Sequence, residues 1–231
     1  ADETAALDAE AAAIVAALRP LYVEGAGYWC ARHPDGTRVP VRHCVDALWM
    51  LNGMAGHLTP RQRDEIAGFV AAELQTPGWL HALSPQDPGS IHDMRPDHQW
   101  SGAFAAWPAE IASGLLGIGR DDLVAGWLGG IARAARQGPF GQAHFVESVV
   151  APLHGGARKA PSDFPFLTDW ACSAATAWVR FVVEAAFGVA ADAGGTLHAQ
   201  PRLAAIDPRA RLSNLRCGGR LWAVDAAGVH D

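Results

Sequence analysis

The sequence predicts a mainly α-helical chain with a small β tail. Before Gly195, apolar side chains recur every three or four positions, which is the spacing of one helix face. Prolines, glycines and capping residues separate these stretches and predict where each helix begins and ends. Beyond Gly195 the apolar spacing changes towards two, the period of a strand. Since strands and helices do not alternate along the chain, a doubly wound fold is not expected.

Each predicted helix has a recognisable start or end. The alanine-rich first helix ends before Pro20. The third begins at TPRQ, residues 59–62, where threonine caps, proline takes the first position and glutamine completes a capping box. Asp121 opens the fifth, where an acid interacts well with the helix dipole. Between the first two helices, HPDG at residues 33–36 predicts a turn, with a hairpin on either side. The predicted helices cover residues 8–18, 42–54, 60–74, 103–116, 121–138 and 169–187.

The β tail is expected to contain a hairpin. Residues 211–216 and 220–224 have strand character and flank a Cys-Gly-Gly turn at residues 217–219. A chain of 231 residues can bury one sizeable core. We therefore predict a helical-hairpin domain over residues 1–194, with residues 195–231 packed on it as a small β segment.

Composition excludes several classes of protein. An apolar fraction of 50% with 18% charged residues is typical of a well-packed globular chain. The net charge of −6 argues against a nucleic-acid or anionic-membrane partner. Because no signal peptide or apolar run of roughly 18 residues is present, the cytoplasm is the favoured location. There the four separated cysteines are expected to be reduced, whereas export would allow up to two disulfides.

Residues 95–108, RPDHQWSGAFAAWP, are the most informative segment. They follow a long polar loop, and loops longer than about 12 to 15 residues usually serve a site. Polar side chains can bind sugar hydroxyls, and indoles offer a flat apolar surface to a pyranose ring. The alternative is an arginine–aspartate ion pair beside tryptophans that fill the core. The candidate site residues in this segment are Arg95, Asp97, His98, Trp100 and Trp107.

A second irregular segment, residues 139–165, supplies another acid. Glu147 lies in GPFGQAHFVE, where glycines permit a tight backbone and Gln142 and His144 can bind sugar hydroxyls. Glycoside hydrolysis needs two carboxylates, one protonated and one ionised. Glu147 and Asp97 are therefore the candidate catalytic residues, although an exposed loop acid is the alternative for Glu147. Further acids in loops or at helix ends are Asp46, Asp93, Asp163 and Asp169.

Metal binding competes with sugar binding as an interpretation of the first loop. His92, Asp93, Asp97 and His98 lie within seven residues. Zinc requires three or four converging ligands, but this spacing matches no known ligand motif. We therefore predict neither a metal nor a cofactor.

The nine tryptophans favour a partly hydrated binding site over a purely structural role. Trp29, Trp79 and Trp100 lie in or beside irregular segments, where a structural core seldom places tryptophan. Trp49 and Trp127 lie on predicted helices, where a packing role is expected. The loop tryptophans are accordingly interpreted as candidate ligand contacts.

Residues 97–102, followed by AWP at residues 106–108, resemble the hairpin entry W-x-G-x-x-W-P of six-hairpin glycosidases. The trehalase and processing α-glucosidase type is the most similar. Four residues rather than two separate Gly102 from Trp107, so this sequence departs from the pattern. The resemblance implies an (α/α)6 toroid, with Glu147 at the position of the catalytic base of an inverting reaction. The match extends over about residues 39–224.

The resemblance also has implications for the catalytic acid and for whether this chain forms a whole toroid. No residue here matches the family's catalytic acid, and Asp97 takes that role on chemistry alone. Six helices are half of a twelve-helix toroid, which implies a C-terminal half completed by a missing N-terminal half or a second chain. A start at Ala1 fits a processed end or a piece of a longer protein.

The predicted function is that of a glycoside hydrolase-like protein that acts on a carbohydrate substrate. Two alternatives remain open. One is a non-catalytic helical-hairpin module that binds a sugar or a protein partner, which an absence of paired carboxylates in one cleft would favour. The other is a polysaccharide lyase or epimerase, which would rely on an essential histidine or tyrosine.

Overall fold

Six α-helices lie within the described part of this computed structural model. The described residues are 2–92, 102–104, 106–135, 148–150, 156–158 and 171–230. The helices are α1 (Asp2–Leu18), α2 (Cys44–Gly53), α3 (Pro60–Phe69), α4 (Trp107–Gly117), α5 (Asp121–Ala135) and α6 (Ala171–Arg180). Helix α3 continues into a π-helical turn over Val70–Leu74, and α6 continues into another over Phe181–Ala186. None of the described helices is long and apolar enough to cross a membrane.

Ten short strands accompany these helices in the described ranges. They pair only in antiparallel fashion, in the orders β1-β2-β3, β10-β9-β8, β4-β5 and β6-β7. The strands are β1 (Tyr22–Val23), β2 (Tyr28–Arg32), β3 (Arg38–Pro40), β4 (Ser148–Val150), β5 (Gly156–Arg158), β6 (Val189–Ala191), β7 (Leu197–Ala199), β8 (Arg211–Cys217), β9 (Arg220–Asp225) and β10 (Gly228–His230).

The prediction of a mainly α-helical toroid, or part of one, is wrong. About 49% of the described residues are helical and 20% are strand, so the fold is mixed α/β. Most of these strands have only two or three residues, which is too short for an apolar alternation to stand out in the sequence. The helix predictions themselves are confirmed with shifted ends, because each predicted stretch overlaps one of the six helices.

Helix α4 lies between α2 and α6 and contacts both. The approach of α2 is close because Gly114 has no side chain, and a Cβ there would lie 2.5 Å from Cβ of Leu51. The Asn52 side chain then links the two helices, since its Nδ2 donates to the carbonyls of Leu48 and Glu110 at 2.9 Å each. These contacts hold α2 against α4, and α2, α4 and α6 together frame a cleft.

Two tryptophans that the sequence suggested as ligand contacts are core residues. Trp79 is fully buried, and Trp29 is nearly so. Nε1 of Trp79 donates to the carbonyl of Ala103 at 3.0 Å, and the Trp79 carbonyl accepts from Nε1 of Trp127 at 3.0 Å. The irregular segment that carries Trp79 therefore packs under the helices, which is why its position outside a helix misled the prediction.

Both predicted hairpins are confirmed. Strands β2 and β3 flank the turn at residues 33–36, and β8 and β9 pair through Cys217 and Arg220. Gly218 and Gly219 have φ of 58° and 75°, the left-handed backbone that their turn requires. The β6–β7 hairpin starts before residue 194, and the domain boundary there stays a prediction.

The predicted capping box at the start of α3 is confirmed. The Thr59 hydroxyl accepts from the backbone N–H of Gln62 at 3.2 Å, and the Gln62 side chain accepts from the N–H of Thr59 at 3.0 Å. Thr59→Ala is expected to lower the free energy of unfolding by about 1 kcal/mol, because the backbone N–H of Gln62 loses the hydroxyl that accepts its hydrogen bond. Urea denaturation would measure this, with Thr59→Ser as the control that keeps the hydroxyl. Equal stability of the alanine variant and the parent would show that the cap contributes nothing.

Candidate functional site

A cleft of about 840 Å³ opens over α4. Trp107, Glu110, Ser113 and Gly117 line it from α4, at the spacing of three or four residues that places them on one helix face. Helix α2 lines one side, and α6 with its π-helical turn lines the other. The segment beside the β6–β7 hairpin contributes Gly188, Gln200 and Arg202. The volume lies within the range of about 300 to 1,000 Å³ that is typical of small-molecule sites.

Aromatic side chains provide an apolar surface in this cleft. Trp49 on α2 lines it and is 64% exposed, which is unusual for so large an apolar side chain. Trp107 is half-buried, and its indole is held in edge contacts by Phe104, at 5.9 Å between ring centroids, and by His43, at 5.5 Å. The cleft therefore combines a fixed indole with an accessible one.

Glu110 is a half-buried carboxyl group in the first turn of α4. Burial raises the pKa of Glu110 above its usual value, and the positive charge of Arg180 partly opposes this shift. Desolvation has this effect because it disfavours the charged form of an acid. At a pH where an exposed glutamate is ionised, Glu110 consequently holds a proton more readily and can donate it.

Arg180 and Glu184 form an ion pair on the other side of the cleft. Nε of Arg180 lies 3.0 Å from Oε2 of Glu184, and the two side chains are 67% and 53% exposed. Arg180 ends α6, and Glu184 lies in the π-helical turn that follows. Such turns are rare and occur often at functional sites. A second cation in the lining, Arg202, lies 3.6 Å from a carboxylate oxygen of Asp121.

Asp46 is the one acid among the additional loop and helix-end candidates that the structure describes. It lies in the first turn of α2, next to Val45, which lines the cleft. Burial raises the pKa of Asp46 to about 6. Asp46 itself is not among the cleft-lining residues, so we place it beside the site and give it no role there.

Trp107 is the one predicted site residue that the structure describes, and it lines the cleft. Its role in sugar binding stays a prediction. Within the described ranges, no group of three histidine, cysteine, aspartate or glutamate side chains converges as a metal site would require. The other predicted site residues lie outside the described residues and remain predictions: Arg95, Asp97, His98, Trp100, Gln142, His144 and Glu147.

Sequence reasoning missed three of the polar residues in the cleft, Glu110, Arg180 and Glu184. They lie on helices, whereas the search for site residues favoured loops. One indication was available, because Glu110 is the only charged residue in the otherwise apolar helix WPAEIASGLLG. Arg180 and Glu184 look like an ordinary i, i+4 surface pair until the packing of α6 beside α4 is known.

Two comparisons of this sequence with known proteins found no match. No protein-family model matches it. No curated protein is significantly similar to it. Inferences about function therefore rest on the cleft itself.

Proposed function

We propose that this protein is a glycoside hydrolase-like, carbohydrate-active protein that binds its sugar in the cleft over α4. The observation that carries the proposal is the exposed indole of Trp49 facing the same cleft as the half-buried carboxyl of Glu110. A sugar ring has an apolar face and a polar edge, so it needs both kinds of surface within one site.

The polar lining supports a carbohydrate over a purely apolar ligand. Asn52, Ser113, Gln200 and two arginines line the cleft together with the tryptophans. Their amide, hydroxyl and guanidinium groups can donate to or accept from neighbouring hydroxyls of a sugar. An apolar ligand would displace water from these groups without replacing its hydrogen bonds and would bind less tightly.

Two carboxylates in one cleft favour hydrolysis over binding alone. Glu110 lines the cleft from α4, and Glu184 lines it from the turn after α6. Hydrolysis of a glycosidic bond uses one carboxyl group as an acid and a second as a base or nucleophile. A non-catalytic sugar-binding module has no need of such a pair, so it is the weaker alternative. Glu147, the base predicted from the sequence, is tested in the same experiment.

Release of reducing sugar from a panel of disaccharides and aryl glycosides tests the proposal. We expect the parent protein to release sugar and Glu110→Gln to lower kcat about 100-fold, because glutamine cannot donate the proton. Trp49→Ala should raise KM up to about tenfold through the loss of ring contact. Glu147→Gln should also abolish turnover if Glu147 is the base.

Controls for these variants lie outside the cleft. Glu10→Gln changes an exposed acid on α1, and Val179→Ala changes an exposed apolar residue beside Arg180. Both should leave turnover unchanged. If the folded parent protein releases no sugar from any substrate of the panel but still binds sugar in a calorimetric titration, the non-catalytic binding module would be favoured. Full activity of Glu110→Gln would remove Glu110 from the reaction.

A further inference from the structure

The cleft brings Arg180 together with two acids of different environment. Arg180, Glu184 and Glu110 all line it. Arg180 pairs directly with Glu184, with 3.0 Å between Nε and Oε2, while its charge also acts on Glu110 across the cleft. Glu184 is more than half exposed, whereas Glu110 is half-buried. The two carboxyl groups thus differ in hydration, and Glu184 is the one that forms an ion pair with Arg180.

We propose that Arg180 divides the acid and base roles between the two carboxyl groups, with Glu184 as the ionised base and Glu110 as the proton donor. This inference rests on the proposed glycoside hydrolysis in the same cleft. Arg180 would be a positioning residue, because it acts through Glu184 and Glu110 and has no bond to make or break in the reaction.

The proton transfers balance in a single displacement. Glu110 donates its proton to the oxygen of the leaving sugar as the bond between that oxygen and the anomeric carbon breaks. Glu184 takes a proton from the attacking water as the water oxygen bonds to the same carbon. The products are two free sugars, and the enzyme ends with Glu184 protonated and Glu110 ionised. A proton exchange with solvent restores the starting state.

The remaining charged and titratable groups around Glu110 do not take the place of Arg180. Cys44 and Asp46 on α2 are not among the residues that line the cleft. The segment after β7 brings Arg202, which is paired with Asp121 on α5. Among the described groups, Arg180 is the cation whose charge acts on Glu110.

The Arg180–Glu184 pair contributes little to stability, which makes it suitable for testing. Ion pairs between exposed side chains are screened by water and often contribute nothing measurable to folding. Arg180→Gln, Arg180→Lys and Glu184→Gln are therefore expected to fold like the parent. Their effects can be attributed to charge in the cleft.

A carboxyl 13C NMR titration tests the coupling without any substrate. The Glu110 resonance is assigned by its loss in Glu110→Gln. We expect its titration midpoint to lie above that of an exposed glutamate and to rise further in Arg180→Gln, because removal of the cation disfavours the carboxylate. Arg180→Lys should restore the parent midpoint. A Glu110 midpoint that is the same in Arg180→Gln and in the parent overturns the proposal.

The pH dependence of turnover tests the division of roles. In the parent, activity should fall at low pH as the base is protonated and at high pH as the acid ionises. Arg180→Gln should move the high-pH limb, which reports Glu110, to higher pH. Glu184→Gln should lose at least 100-fold in kcat while still binding sugar. Turnover that survives in Glu184→Gln overturns its role as base. Failure of the parent to release any sugar overturns the proposed function and these roles, whereas the NMR titration still decides whether Arg180 acts on Glu110.

Discussion

Replacing Trp79 by alanine is expected to lower the free energy of unfolding by about 3 to 5 kcal/mol. The side chain is fully buried, and its ring stacks near Trp178 with 6.3 Å between centroids. The substitution leaves a cavity and also removes the donor that satisfies the carbonyl of Ala103. Urea denaturation at pH 7, followed by circular dichroism, would measure the loss.

Two further variants separate the contributions of Trp79. Trp79→Phe keeps most of the apolar volume but leaves the Ala103 carbonyl without its donor, which costs about 1 to 3 kcal/mol. Trp49→Ala truncates an equally large side chain that is 64% exposed and should change stability by no more than about 0.5 kcal/mol. A loss below about 1 kcal/mol for Trp79→Ala would mean that Trp79 is not part of the core.

The contrast between Trp79 and Trp49 shows how far the sequence could predict this molecule. Trp79 lies outside any helix and was expected at a wet site, while Trp49 lies on a helix and was expected in the core. Their observed exposures are the reverse. Local spacing predicts which residues share a helix face, but only the packing of α2 against α4 decides which face of α2 is covered.

Local features that depend only on neighbouring residues in the sequence were predictable. The capping box at Thr59 and the Cys-Gly-Gly turn at residues 217–219 each contain the side chains or glycines that satisfy their own backbone. The strands near residues 148–158 and 189–199 were not predicted, since three residues do not establish a period of two. The shortness of these strands, each of which pairs with a neighbour in sequence, therefore accounts for the error in fold class.

The candidate site was predictable only at Trp107. The sequence identified its indole as lying near polar residues, whereas it predicted a helix start at residue 103 rather than at Trp107. Glu110 lies one turn further along the same helix and faces the same cleft. Arg180 and Glu184 reach the cleft from a helix more than 60 residues away in sequence, and no local pattern connects positions so distant.

Replacing Arg42 by methionine is expected to lower the free energy of unfolding by about 3 kcal/mol at pH 7. Arg42 forms a two-pronged ion pair with Glu73, which is 11% exposed, and the hydroxyl of Ser84 donates to the same carboxylate at 2.6 Å. Burial acts to raise the pKa of Glu73, but the bonds from Arg42 and Ser84 outweigh it and hold the pKa below its usual value. Without Arg42, a buried carboxylate would remain with no cation.

The stability lost in Arg42→Met should be smaller at low pH than at pH 7. In the parent, the lowered pKa of Glu73 adds stability at neutral pH that disappears as pH falls through that pKa. In Arg42→Met the pKa of Glu73 should rise instead, so that protonation relieves the unpaired charge. About half of the deficit measured at pH 7 should therefore vanish by pH 4. Urea denaturation at both pH values would measure it.

Two further variants test whether the unpaired charge on Glu73 causes the loss of stability in Arg42→Met. Arg42→Met with Glu73→Gln removes both charges and should recover most of the loss. Arg120→Met breaks a pair of similar geometry, with Nε and Nη2 each 2.9 Å from the exposed carboxylate of Asp122, and should cost less than about 1 kcal/mol. Arg42 also lies over the ring of Tyr28, 5.0 Å from its centroid. An equal loss at pH 4 and pH 7 would mean that this packing, rather than the ion pair, is what Arg42 contributes.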